Sequence, residues 1–132
     1  MPVAARRRPE IADVTAAAAR IAGRVRPTPI ARSAWLSELT GAEVWLKLET
    51  EQITGSFKIR GATNAIACLR DGQHDVSTVT TASAGNHGLA LARAGGEAGI
   101  TVRVHLPATA PQAKKDALHR YGALVLEAPD YD

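Results

Sequence analysis

The chain has 132 residues, of which 45% are hydrophobic and 22% charged, a composition that is typical of a globular protein and excludes disordered and fibrous classes. Its formal net charge of +3 would fit a nucleic-acid partner, but much of the excess comes from Arg6, Arg7 and Arg8, which predict a flexible, solvated arm over residues 1–10. Because no basic stripe interleaved with aromatic residues follows this arm, we expect no nucleic-acid partner.

The first half of the chain predicts three helices and one strand. Its predicted elements are, in order, a helix over residues 11–21, an extended piece over 28–30, a helix over 33–39, a strand over 44–48 and a helix over 56–69. Apolar residues at helical spacing indicate the helices, and Gly23 and Gly41 end the first two. The third helix follows a polar loop, and its approximate apolar face is Phe57, Ala62, Ile66 and Leu69. Lys58 therefore falls in the first turn of that helix.

The second half of the chain alternates strands and helices. Its predicted elements are, in order, a strand over residues 77–82, a helix over 86–98, a strand over 100–106, a helix from Pro111 to near Gly122 and a strand over 123–127. Connections this short require parallel strands with right-handed crossovers. The sequence therefore predicts an α/β fold with a parallel sheet.

The cysteine and histidine content limits the kinds of site the chain can hold. The single cysteine, Cys68, excludes an intrachain disulfide, is compatible with a reducing compartment and lies in an apolar stretch that predicts burial. The four histidines are scattered and have no carboxylate pair at ligand spacing, so we predict no metal site. No run of about 18 apolar residues or signal-peptide segment is present. We therefore expect a cytoplasmic protein without a membrane partner.

The segment Thr54-Gly-Ser-Phe-Lys-Ile-Arg-Gly61 places Lys58 where a tight glycine turn enters a helix. The positive end of the helix dipole disfavours an ammonium ion there and favours the neutral amine that forms an imine. Phe57 beside it would supply an aromatic face. A solvated surface lysine at an ordinary helix start explains the same residues, so this segment alone leaves both interpretations open.

A second loop, Thr80-Thr-Ala-Ser-Ala-Gly-Asn-His-Gly88, leaves the C-terminal end of a predicted strand and begins a helix. Ligands bind at this edge of open parallel sheets, and the N–H groups of a helix start suit a carboxylate or a phosphate. Ser83, Gly85 and Asn86 would provide a hydroxyl, close backbone approach and an amide. Capping of the helix by Ser83 or Asn86 is the alternative.

Taken together, the two loops resemble those of the fold-type II pyridoxal-phosphate (PLP) enzymes, and within that group the serine/threonine dehydratases (threonine ammonia-lyases) and serine racemases. The resemblance runs from about Asp13 to Glu127. Five segments carry it: Gly23-Arg-Val-Arg-Pro-Thr-Pro29, Trp45-Leu-Lys-Leu-Glu49, Gln52-Ile-Thr-Gly-Ser-Phe-Lys-Ile-Arg-Gly-Ala62, Ser83-Ala-Gly-Asn-His-Gly88 and Pro107-Ala-Thr-Ala-Pro-Gln-Ala-Lys-Lys-Asp116. Ile59, Arg60 and His87 indicate the dehydratase and racemase branch, because cysteine and threonine synthases favour Asp-Arg after the lysine.

The resemblance implies a three-layer parallel-sheet fold of the tryptophan synthase β-like group, present only in part. Residues 11–72 would be the N-terminal part of the large PLP domain, and residues 73–132 a smaller βαβαβ domain. The resemblance also implies that Lys58 binds PLP as a Schiff base and is the catalytic base, that Phe57 packs on the pyridine ring, and that Asn86 bonds to the ring's 3-hydroxyl. The substrate carboxylate would lie in the loop of Ser83, Ala84, Gly85, Asn86 and His87.

The implied activity is the conversion of L-threonine or L-serine to a 2-oxo acid and ammonia, through removal of the α-proton and elimination of the β-hydroxyl group. Family members are commonly dimers or tetramers, which implies a homo-oligomer. The family's glycine-rich phosphate-binding loop and the residue that meets the pyridine nitrogen lie beyond Asp132. We therefore expect the 132-residue chain to be incomplete as a catalyst.

Two alternatives to the dehydratase remain open. The first is a racemase that acts on serine or aspartate, although racemases of this branch carry a serine where this chain has Ala84. Alanine has no proton to return to the opposite face of the substrate, so this residue favours elimination. The second alternative is a truncated product with a binding or regulatory role and no turnover.

Overall fold

The computed structural model describes residues 8–72 and 75–129, so residues 1–7 of the predicted basic arm lie outside the described residues. The helices are α1 Ile11–Ile21, α2 Ala34–Thr40, α3 Lys58–Asp71, α4 Asn86–Ala98 and α5 Gln112–Arg120, and a short 3-10 turn spans Glu49–Glu51. The strands are β1 Ile30–Arg32, β2 Trp45–Lys47, β3 Thr78–Ala82, β4 Thr101–Pro107 and β5 Leu124–Ala128. The predicted elements are therefore present, with ends that differ by one or two residues.

The second half of the chain builds a three-stranded parallel sheet in the order β3-β4-β5. Helix α4 connects the first two strands and α5 the last two, so the parallel arrangement predicted from the short connections is confirmed. The element order is also the βαβαβ order predicted for residues 73–132, of which 73–74 and 130–132 lie outside the described part. The division of the chain into two domains stays a prediction.

Two apolar clusters share helix α4. Alternate residues of β4, Val102, Val104 and Leu106, are buried against α4 and α5, as the two-residue period of a strand requires. On its other face α4 packs against α3, and that cluster consists of Ile59, Ala62, Ile66, Ala90, Ala94 and Ile100. The small side chains of α4 allow both neighbours to approach closely. Helix α4 thus connects the parallel sheet to the helix that begins at Lys58.

The first half of the chain leaves much of its apolar surface exposed. Strands β1 and β2 pair antiparallel, with Ile30 opposite Lys47, which the sequence had not indicated. The large apolar side chains exposed in this half are Ile11, Val14, Ile30, Trp35, Leu39, Trp45, Leu46 and Phe57.

Over residues 8–72 and 75–129 no helix is long and apolar enough to cross a membrane.

Two burial predictions for α3 were wrong. Phe57 was predicted on the apolar face of the helix but is 58% exposed. Ile59 is buried in its place. The helix begins at Lys58, so Phe57 precedes it, and the spacing of Ile59, Ala62 and Ile66 directs those residues towards α4. Cys68 is exposed rather than buried, because two residues beyond Ile66 the helix has turned by about 200° to the opposite face.

Candidate functional site

Lys58 lies in the first turn of α3, as the sequence predicted, and is the first residue of that helix. Gly55 begins the approach with a φ of 71°, a left-handed conformation that favours glycine, and its N–H donates to the Gln52 carbonyl at 2.9 Å. The Lys58 side chain is exposed, and its Nζ lies 5.1 Å from the centre of the Phe57 ring. No acceptor within the described ranges binds this amine. The turn therefore presents a primary amine and an aromatic ring together at the surface.

An ion pair holds the same turn of α3 from the other side. Arg60 binds both carboxylate oxygens of Glu49, with Nε 2.9 Å from Oε2 and Nη2 2.7 Å from Oε1. The Thr28 hydroxyl donates to the same carboxylate. The hydrogen bond from Arg60, helped by Thr28 and by the charges of Arg60 and Lys47, lowers the pKa of Glu49 from 4.5 to about 2 against the opposing effect of burial. Glu49 is therefore ionised at neutral pH.

Gln52 connects this ion pair to the segment after α1. It is buried, donates from Nε2 to the Arg26 carbonyl at 2.6 Å, and accepts from the Arg26 N–H at 3.2 Å. Arg60 Nη2 donates to the same carbonyl at 3.1 Å. Lys47 Nζ also donates to the Thr28 carbonyl. These bonds join the segment around Arg26, the end of β2 and the first turn of α3 into one polar cluster.

The second predicted loop connects β3 to α4. The Ser83 hydroxyl accepts hydrogen bonds from the N–H groups of Gly85 and Gly88, both at 3.3 Å. A serine hydroxyl has two acceptor lone pairs and one O–H to donate, so Ser83, two residues before the N-cap Gly85, caps the helix while its O–H remains able to donate. The side chains of Asn86 and His87 are exposed. Capping and ligand binding are therefore compatible at Ser83.

Gly88 allows this loop to fold tightly against its own helix. A Cβ atom at Gly88 would lie 2.1 Å from the Ser83 carbonyl oxygen, which is far inside van der Waals contact. Ala84 is half-buried and packs against the core formed by β4, α4 and α5. The loop is consequently fixed by close backbone packing as well as by the Ser83 cap.

The packing of α3 on α4 brings the two loops to the same end of the helix pair. At the opposite end, Arg70 Nη1 of α3 donates to the Ala98 carbonyl of α4 at 2.7 Å. Lys58 and Asn86 each begin a helix about 12 residues before this contact, equivalent to about 18 Å of helix. The Tyr121 hydroxyl also bonds to the Ile53 carbonyl at 3.4 Å, which ties the loop before Lys58 to the second half of the chain. The structure thus brings the sequence-predicted site residues to one end of the pair.

The sequence interpretation missed the polar cluster that includes Arg60, on the same turn as Lys58. Its main members are Thr28, Glu49, Gln52 and Arg60, and each lies inside a segment that carries the family resemblance. Their position in those segments was the signal from which the cluster could have been found. Within the described residues no group of three or more His, Cys, Asp or Glu residues could hold a metal ion.

Known proteins are similar to this chain over most of its length. The family described as pyridoxal-phosphate dependent enzyme matches residues 21–132. The beta-hydroxyaspartate dehydratase of Paracoccus denitrificans is 47% identical over 119 residues, which are 90% of this chain and 38% of that protein. The catabolic L-threonine dehydratase TdcB of Staphylococcus aureus is 44% identical over 117 residues, which are 88% of this chain and 34% of that protein.

A solved structure shows the same fold. The serine racemase of Dictyostelium discoideum superposes with a TM-score of 0.84 and 39% identity, and the match covers 90% of this chain and 39% of the racemase. The fold is therefore that of the fold-type II PLP enzymes, present in part. The chain spans little more than a third of the length of the relatives it matches.

The residues at the start of α3 fit a pyridoxal phosphate. The cofactor needs a primary amine for its aldehyde and a flat apolar surface for its ring, and Lys58 and Phe57 provide both groups. Thr54 and Ser56 bury hydroxyl groups that meet no partner among the described residues. Buried hydroxyls of this kind are typical of a site that binds a polar group.

Proposed function

Because the chain belongs to the pyridoxal-phosphate dependent enzyme family, we propose that the whole protein converts L-threonine or L-serine to a 2-oxo acid and ammonia. The observation that carries the proposal is that the Lys58 amine begins α3 at the end of the helix pair where Asn86 begins α4. Two relatives named as dehydratases support the reaction type. We further propose that residues 11–72 belong to the large domain and residues 73–132 to the small one.

In this proposal Lys58 has two tasks. Its amine would hold the cofactor through the aldehyde group, and, when free, the same amine would take the proton from the substrate's Cα. The cofactor would supply an electron sink for the charge that is left on the carbon. The β-hydroxyl group would leave as water with the proton that Lys58 took from Cα, and one water would later be consumed in hydrolysis that releases ammonia, so the net products are a 2-oxo acid and ammonia.

The loop at the start of α4 orients the substrate. The first N–H groups of a helix lack intrahelical partners and attract an anion, and the Ser83 hydroxyl retains a proton to donate. These donors would hold the substrate carboxylate, with Gly85 and His87 contributing to the loop. Asn86 would donate its side-chain amide to the ring's 3-hydroxyl, and Phe57 would pack on the ring.

An absorbance scan of the whole protein, followed by 2-oxo acid assays on threonine, serine and 3-hydroxyaspartate, tests cofactor and reaction together. The third substrate belongs in the panel because a relative at 47% identity is named for it. We expect Lys58→Ala to abolish both the yellow colour and turnover, because the anchor and the base are lost. Lys114→Ala is the matched control, since Lys114 is exposed on α5. An unchanged spectrum in Lys58→Ala would contradict the assignment.

A racemase is the second candidate, and the similarity to a solved serine racemase favours it. Racemisation needs an acid on the second face of the substrate to return a proton, and the Ala84 side chain has none to give. Chiral analysis of a serine reaction mixture distinguishes the two activities. Rapid formation of D-serine with little pyruvate would establish the racemase in place of the dehydratase.

We also propose that the whole protein is a cytoplasmic homo-oligomer that acts on a small amino acid without a nucleic-acid or membrane partner. A single cysteine supports a reducing compartment, and the family resemblance supports the oligomer. Light scattering on the purified protein measures the mass in solution, and a monomer at working concentration would contradict the oligomer.

A further inference from the structure

The start of α3 lacks the usual support of a helix N-terminus. The first N–H groups of a helix have no partner within it, and a Ser, Thr, Asp or Asn side chain normally caps them. Phe57 occupies the cap position of α3 and offers no side-chain hydrogen bond. Helix ends are prone to fraying. Ile59 packs one side of this turn against α4, and a second contact holds its polar side.

The ion pair between Glu49 and Arg60 provides that contact. Arg60 lies on the same turn as Lys58, two residues further along, and binds Glu49 through both carboxylate oxygens. The Glu49 side chain is only 18% exposed and that of Arg60 32% exposed. Such two-point binding fixes direction as well as distance. Residues 49–60 are consequently closed into a loop with Gly55 at its turn.

The rest of α3 is held by other contacts. Ala62 and Ile66 are buried against α4, and Arg70 binds the end of α4. Loss of the ion pair should therefore leave α3 packed on α4, including Ile59 in its first turn, and free only the polar side of that turn. The exposed pair of Arg32 and Glu43, at 3.5 Å with both side chains more than half exposed, offers a matched comparison in the same half of the chain.

We propose that Glu49 and Arg60 are positioning residues that set the direction in which Lys58 presents its amine to the cofactor. The proposal rests on the proposed function, because direction matters only if Lys58 carries PLP. Neither residue touches the reacting atoms. They act by fixing the orientation of the first turn of α3, so that the Lys58 amine points towards the cofactor's aldehyde.

The test follows the return of PLP to the whole protein after the cofactor has been stripped. Absorbance gives the rate at which the imine forms, and borohydride reduction followed by peptide mass spectrometry gives the lysine that carries it. We expect Glu49→Gln and Arg60→Gln to slow imine formation at Lys58 about tenfold, since small displacements of a reacting group are costly. The double variant should be no slower than either single one, because both changes remove one interaction.

Three controls separate positioning from general weakening. Glu43→Gln makes the same chemical change in the exposed pair and should leave the rate unchanged. Arg60→Lys keeps the charge and should restore part of the rate, and it also serves if Arg60→Gln fails to fold. Ile66→Val weakens the packing of α3 on α4 away from Lys58; if it slows the imine as much as Glu49→Gln at an equal loss of melting temperature, the proposal is overturned.

The outcomes distinguish this inference from the proposed function. If the unaltered protein carries no label on Lys58, the proposed function fails. If Lys58 is labelled in the unaltered protein, and the imine forms equally fast in Glu49→Gln and Arg60→Gln, the proposed function stands and the positioning role is wrong. A slower rate in those two variants, with normal rates in Glu43→Gln, supports the positioning role.

Discussion

The two helices that begin at the candidate site are held in different ways. Helix α4 is capped locally by Ser83 and packed against its own loop through Gly88. Helix α3 has no side-chain cap, and its first turn is held by the packing of Ile59 on α4 and by an ion pair with Glu49, which belongs to another segment. A local cap forms with the helix itself, whereas a remote ion pair requires the surrounding chain to fold first. The loop that would bind the substrate is thus fixed by its sequence neighbours, and the lysine by tertiary structure.

The largest effect on stability is expected at Gly88, where the start of α4 leaves no space for a side chain. Gly88→Ala would place a Cβ atom 2.1 Å from the Ser83 carbonyl oxygen, so the loop must move and the unfolding free energy should fall by about 2–3 kcal/mol. Gly61→Ala is the matched control, because nothing lies within 4 Å of its Cβ position in α3. It should stabilise the helix by up to about 1 kcal/mol. Chemical denaturation measures both, and equal stability of the two variants would contradict the close packing.

Removing the α4 cap should affect both stability and binding. Ser83→Ala loses a helix cap worth about 1 kcal/mol and a hydrogen bond to a charged carboxylate worth about 1.5–3 kcal/mol. In the whole protein we therefore expect a KM about tenfold higher or more, with PLP still bound. Steady-state kinetics with the best substrate measures the change. A KM that moves less than about threefold would leave Ser83 as a cap alone.

The remote ion pair should appear as a dependence of stability on acid. The folded protein lowers the pKa of Glu49 from 4.5 to about 2, through Arg60 first. This stabilisation is fully present above pH 4.5 and is lost as the pH falls towards about 2. Glu49→Gln should lower the free energy of unfolding at neutral pH. It should also make that free energy depend less on pH between 4.5 and about 2. Denaturation at stepped pH tests this, with Glu43→Gln expected to follow the unaltered protein.

The smallest expected effect concerns reaction type. Ala84→Ser adds one hydroxyl to the loop and would supply the missing acid on the second face of the substrate. We expect a detectable gain of D-serine from L-serine, while pyruvate remains the main product. Chiral chromatography of the reaction mixture measures it, and Ala84→Gly is the control that adds no proton donor. Equal D-serine from both variants would show that residue 84 does not control the outcome.

The sequence predicted local structure better than contacts between residues that are distant in the chain. Lys58 at a helix start followed from a glycine turn and helical spacing, and the structure confirms that position. The pairing of Glu49 with Arg60 could not be predicted, because a charge in a sequence does not reveal which distant group it meets. Strands β1 and β2 are three residues long, too short for an alternating pattern, so their antiparallel pairing was also missed. The functional roles of Lys58, Phe57 and residues 83–87 stay predictions.

The contact between Arg70 and Ala98 marks the end of the helix pair that lies away from the candidate site. It is about 18 Å from the first residues of α3 and α4, and the apolar packing between the helices continues from there to Ile59 and Ala90. A rotation of about 3° between the two helices would move the helix starts apart by about 1 Å at that length. The separation of Lys58 and Asn86 therefore depends on how the whole length of the helix pair packs.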